Sequence, residues 1–215
     1  MIPSPHAHDL RVAWMRLAAT LDAQEELARD VFSELEARYS EPQRAYHNLE
    51  HVRQVLHTVE RLAAYVENLA QVQAAAWLHD VVYDPRASDN EARSAAYAGA
   101  RLTVLGQTSG FSAAVRRLIL LTRDHQTTSD DADGCVLLDA DLAILGAPPA
   151  EYALYSAAIR HEYDWVAEDA YREGRVALLR RFLQRPFIYH TAPMREEREQ
   201  VARENLRAEI KRLSR

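Results

Sequence analysis

Three short stretches of this chain place imidazoles and carboxylates where they could act together. His47 and His51 lie four residues apart in AYHNLEHVRQV. On a helix that spacing sets both rings on one face, one turn apart, as a metal or a metal-plus-acid pair can use. His79 and Asp80 are adjacent and follow the apolar run AAWL. Charged side chains rarely sit in such surroundings unless paired or bound to metal. Asp139 and Asp141 interrupt the apolar segment VLLDADLAILG. Each stretch has an ordinary alternative: a solvated helix face, a helix end meeting water, and a cap or turn. From the three imidazoles and three carboxylates they hold, a metal could draw two of each, a nitrogen and oxygen set that suits Mn, Fe, Co, Ni, Zn or Mg. Such a set leaves positions open for water and a phosphate oxygen.

The elements that must position these groups read as helices. Glycine is scarce, 6 in 215 residues, and β-branched residues are few beside Ala, Leu, Arg and Glu. Apolar residues recur at helical spacing over about 8–38, with Asp22 a candidate cap inside the stretch. A break around Pro42 precedes a helix over roughly 46–66 that carries both His47 and His51. A shorter helix, AQVQAAAWLHDVVY, ends before Pro85. Asp89 and Asn90 open another, which stops at Gly106. Further helices are expected over roughly 111–124, in LLDADLAILG, from Pro148 and Pro149 to about 183 with a break near Trp165, and over about 193–213. The expected fold is all-α in one domain over 1–215, the N-terminal and C-terminal helices packing on the core. Its 48% hydrophobic and 27% charged residues are ordinary for a globular chain.

The totals exclude some functions. A formal charge of −6 gives no basic face for general nucleic-acid binding, though one cleft can still be basic. The single cysteine, Cys135, allows neither an internal disulfide nor a cysteine-based zinc cluster. No signal peptide or membrane span is evident, so the expected location is the cytoplasm. Oligomeric state is left open.

His51, then His79-Asp80, then Asp141 resembles the H…HD…D pattern of the HD superfamily of metal-dependent phosphohydrolases. The strings YHNLEHV, WLHDVVYDP, DNEARSA, LDADLAILG and IRHEY resemble a bacterial family of predicted metal-dependent HD phosphohydrolases, over roughly residues 39–210. The resemblance implies a helical bundle with the divalent metal on His51, His79, Asp80 and Asp141. Asp139 is the alternative for the last ligand; Asp141 is preferred because Ala140-Asp141-Leu142 matches the motif. The YHN-x-x-H string is also similar to cyclic nucleotide phosphodiesterases, which implies His47 as general acid. The expected reaction is hydrolysis of a small phosphate ester, a nucleotide among the candidates, with Asp80 or Glu91 as base. His125 is a candidate ligand for a second metal, Asp80 bridging. Asp84 is a candidate for orienting water or substrate. Arg123, Arg160 and Arg175 are candidates for phosphate binding. Two rival functions are kept: a di-iron oxygenase of the same superfamily, and a nucleotide-sensing module that does not hydrolyse.

Overall fold

The computed structural model describes residues 7–215, and every described element is helical. The α-helices are α1 (Ala7–Thr20), α2 (Glu25–Tyr39), α3 (Leu49–Arg61), α4 (Leu69–Leu78), α5 (Asn90–Val104), α6 (Ser109–Leu121), α7 (Ala132–Asp141), α8 (Pro149–Glu162), α9 (Glu168–Gln184) and α10 (Ala192–Leu213). Short 3-10 segments span Ala63–Tyr65 and Leu142–Gly146.

Two helices form the centre. In α4, Val72 and the run from Ala74 to Leu78 are buried; in α7, everything from Asp133 to Ala140 is buried. Neither has a polar face, so each is enclosed by neighbours rather than laid on a surface. α3 and α6 pack against both, and α5 covers α6. α1 and α2 pair and close over α4. There Trp14 meets Trp77 edge to face at 5.5 Å and donates its indole N–H to the Ala28 carbonyl at 2.8 Å. The 3-10 segment Leu142–Gly146 bends the chain out of α7 onto α10 and α8, and α10 also contacts α9.

Local chemistry accounts for most boundaries. Asn48, Asn68, Thr108 and Asp131 cap α3, α4, α6 and α7 with their side chains. Gly106, with φ of 76°, terminates α5 in the left-handed conformation that glycine adopts without strain. Asp22 does not cap α2. It takes a positive φ of 52° in the turn, and Gln24 holds the cap position. α3 starts two residues after His47, so the expected helix over 46–66 is shorter and His47 lies in the turn before it.

The break at 42–48 is held by Arg44. Its buried guanidinium donates to the carbonyls of His47 (2.9 Å), Asp80 (2.7 Å) and Val81 (3.1 Å). One cation thereby ties the entry of α3 to the exit of α4, and both candidate motifs to each other.

Candidate metal centre

α4 and α7 run inside the core and both end at one place. His79 and Asp80 follow the last turn of α4, and Asp141 closes α7. His51 projects from the first turn of α3 toward them. Helix C-termini carry partial negative charge on their free carbonyls, so two such ends make a site that favours a cation.

The donor atoms converge. His51 Nε2 lies 3.1 Å from His79 Nε2, 3.1 Å from Asp141 Oδ1 and 3.7 Å from Asp80 Oδ2. His79 Nε2 lies 3.2 Å from Asp80 Oδ2 and 3.5 Å from Asp141 Oδ1. Donors about 2.1 Å from a common ion stand about 3.0 Å apart in an octahedron and about 3.4 Å apart in a tetrahedron. The observed spacings, 3.1–3.7 Å, run from just above the octahedral edge to just beyond the tetrahedral one. His51, His79 and Asp141 form a group able to hold a metal ion.

The orientation of His79 fits a ligand. Its Nδ1 sits 2.9 Å from the Ala76 carbonyl. A carbonyl only accepts, so Nδ1 carries a proton and Nε2 faces the cluster, where it can bind a metal on losing its own proton, as in metal-bound histidines backed by a backbone oxygen. Burial disfavours charge on all four groups. Nevertheless the neighbouring His79 holds both Asp80 and Asp141 below the usual carboxylate range, and the two carboxylates raise His79 well above an ordinary histidine. Burial lowers His51. Without an ion, the site balances its carboxylates with a proton on His79; a divalent cation would replace that charge.

His47 stands beside this cluster, its ring centroid 5.8 Å from that of His51. It is not one turn below His51 on a helix, as the spacing predicts. Glu162, the last residue of α8, positions it. Glu162 Oε1 accepts the backbone N–H groups of Ala45 (2.9 Å), Tyr46 (2.7 Å) and His47 (3.0 Å). Its Oε2 lies 2.6 Å from His47 Nδ1 and accepts the Tyr83 hydroxyl at 2.7 Å. Tyr83 stacks on the His47 ring at 4.3 Å. Burial works against a charged His47, but the Glu162 bond and the charges of Asp80 and Asp141 raise its pKa above the ordinary value. Glu162 itself, despite burial, is drawn down to about 2, chiefly by His47. Nδ1 is committed to Glu162, so Nε2 is the nitrogen left for chemistry.

His125 reaches the cluster from the opposite side. Its Nε2 is 2.9 Å from Asp141 Oδ2, the oxygen turned away from His51 and His79. The expected bridge through Asp80 is replaced by contact with Asp141. His125 adopts φ of 49° just beyond α6, and Arg185 clamps its carbonyl at 2.7 Å. A non-glycine residue there is strained, and such strain is found where a side chain must reach a set position.

The other sequence candidates lie elsewhere. Asp139 is buried and turned toward α10. It accepts from His190 N (2.6 Å), Thr191 N (2.7 Å) and Thr191 Oγ1 (2.7 Å), so it holds the turn that enters α10 and is no ligand of the cluster. Two helix positions apart, Asp139 and Asp141 point about 200° from each other, and only one can face the site. Asp84 is exposed and shapes its loop by accepting Arg86 N at 2.9 Å. Glu91 opens α5 without a hydrogen bond or ion pair to the cluster. Arg175 is buried against Glu209 at 3.0 Å, and Arg160 pairs with Glu168 at 3.0 Å and with the carbonyls of Tyr163 and Val166. Their charges are used inside the fold. Arg123 is exposed and lines a cavity beside His125.

Glu162 and Arg44 were not singled out from sequence. Glu162 had a signal: the buried stripe Tyr152, Ser156, Ile159 of α8 extends to it at helical spacing. Arg44 had none, lying in a polar break where arginine is normally solvated. No family model, curated protein or solved structure matches this chain.

Proposed function

We propose that this chain is a metal-dependent phosphohydrolase of the HD type, acting on a small phosphate ester, with nucleotides among the candidates. The observation that carries the reading is the convergence of His51, His79 and Asp141 at ligand spacing, with Asp80 against both histidines and His47 held beside them by Glu162. The motif resemblance supports the same ligand set. A divalent ion in these donors would supply positive charge against the phosphate and acidify water.

The chain's own residues account for the rest. His79 is fixed by Ala76 and His51 by its place at the head of α3, so the donor set is preorganised. Asp80 and Asp141 are only 16% and 12% exposed, so the cluster meets solvent over a small area. Water attacks phosphorus and the bond to the leaving oxygen breaks. Asp80 accepts the proton of the attacking water. His47, held by Glu162, gives the Nε2 proton to the leaving oxygen. Glu91 makes no hydrogen bond or ion pair to these groups, whereas Asp80 lies against both histidines, so Asp80 is the preferred base.

The oxygenase alternative needs more nitrogen ligands. His125 with Asp141 Oδ2 offers two donors for a second ion, and no further histidine joins them among the described residues. A one-ion hydrolase therefore uses the donors better. The test is phosphate release from a panel of phosphate esters with Mg, Mn, Co, Ni, Zn or Fe. Activity restored by one of these metals to chelated protein, and lost in His79→Ala, is the expected result. A metal-loaded protein that releases no phosphate from any ester, or that consumes oxygen instead, contradicts the reading. A nucleotide that stabilises the protein and is recovered intact favours the sensing module.

A further inference from the structure

His125 separates the cluster from a second feature. On its far side, between the end of α6 and α9, lies a cavity of about 530 Å³ lined by Arg123, His125, Leu178, Arg181, Phe182 and Arg185. A volume of this size accommodates the body of a small organic ligand. A smaller hollow of about 150 Å³ touches His51 and Asp141 between α3 and the 3-10 segment Leu142–Gly146.

The charge of the larger cavity runs against that of the molecule. The chain carries −6, yet three guanidinium groups line this space against one carboxylate, Asp124. Arg123 and Arg181 have no ion-pair partner among the described residues. Arg185 is spent on structure. It donates to the carbonyls of Asp124 and His125, both at 2.7 Å, and stacks over Phe182 at 4.6 Å. That clamp holds His125 in its left-handed conformation and makes the cavity wall stiff. Partial burial and the neighbouring charge of Arg181 pull the Arg185 pKa down, as a space rich in positive charge requires. The inner wall is apolar: Leu178 and the Phe182 ring, which meets His125 edge to face at 6.0 Å.

We propose that this cavity is a binding subsite for a second anionic group of the substrate, so that the enzyme takes phosphate esters carrying two anions. The ester phosphate sits at the cluster, the organic body crosses His125 against Phe182 and Leu178, and Arg123 and Arg181 hold the distal phosphate or carboxylate. Arginine suits that role because its planar fork grips such groups in pairs of bonds. The assignment of the near end rests on the phosphohydrolase reading; the anion site itself does not.

The test uses inorganic pyrophosphate and full-length protein stripped of metal, so that the cluster does not compete through an ion. Calorimetry should show binding that weakens by at least about tenfold in the double variant Arg123→Gln/Arg181→Gln, two guanidinium contacts being lost. Arg180→Gln, which removes one exposed charge of the same helix outside the cavity, should bind as the parent does. Equal weakening in both variants, or no binding by the parent, overturns the proposal. With a hydrolysed substrate in hand, the double variant should raise KM for doubly anionic esters more than for singly anionic ones; equal changes overturn the subsite role. If no ester is hydrolysed but pyrophosphate binding depends on Arg123 and Arg181, the phosphohydrolase reading fails and the anion site stands.

Discussion

Glu162 does more for the candidate site than its distance from the metal donors suggests. It satisfies three backbone N–H groups of the turn before α3 and sets the direction of His47. Glu162→Gln should keep the turn but remove the charge that raises His47. The limb of the rate profile that needs protonated His47 should then move to lower pH. The maximal rate should fall by about 100-fold, the scale of one general acid, with metal content unchanged. Stability follows the carboxylate. The folded pKa of about 2 lies below the unfolded value near 4.3, so Glu162 stabilises the fold fully above that value. The contribution is lost as pH falls from about 4.3 through about 2, and acid titration of the Gln variant should lack that part of the transition. His125 offers a complementary case. His125→Gly removes left-handed backbone strain of about 1 kcal/mol while losing the bond to Asp141. Thermal stability should hold or rise, whereas metal affinity should drop by about 10- to 100-fold, as read by titration with the metal alone.

At the scale of elements, the sequence was most legible where apolar spacing was unbroken. The helices over 90–104, 149–162, 168–184 and 192–213 fall close to their expected limits because apolar spacing, prolines and Gly106 mark them. The site was less legible where it depends on what lies across the fold. The i, i+4 spacing of His47 and His51 misplaces His47, since Asn48 starts α3 after it. Asp139 and Asp141 look alike in sequence, and only the approach of Thr191 and His190 shows that Asp139 belongs to α10. Asp139→Ala would strand those buried donors. It should cost about 3 kcal/mol of unfolding free energy with metal stoichiometry intact, measured by denaturant unfolding beside metal analysis.

At the scale of the whole molecule, the cluster joins α3, α4 and α7, whose packing encloses the hydrophobic core. An ion bound there acts as a tie between the ends of its two most buried helices, and it binds the folded state alone. At a free concentration about 100-fold above its Kd, it should add about 2.7 kcal/mol. For a chain of this size that is about 5–10 °C in Tm, reversed by a chelator. No helix of the described residues is long and apolar enough to cross a membrane. The most direct test of the centre is metal content by elemental analysis after gel filtration, for the parent chain and for His51→Ala and Asp141→Asn. About one divalent ion per chain in the parent, and almost none in either variant while both remain helical, is the expected result. A folded parent that takes up no divalent ion, or variants that hold as much as the parent, would contradict the assignment of these residues as a metal centre.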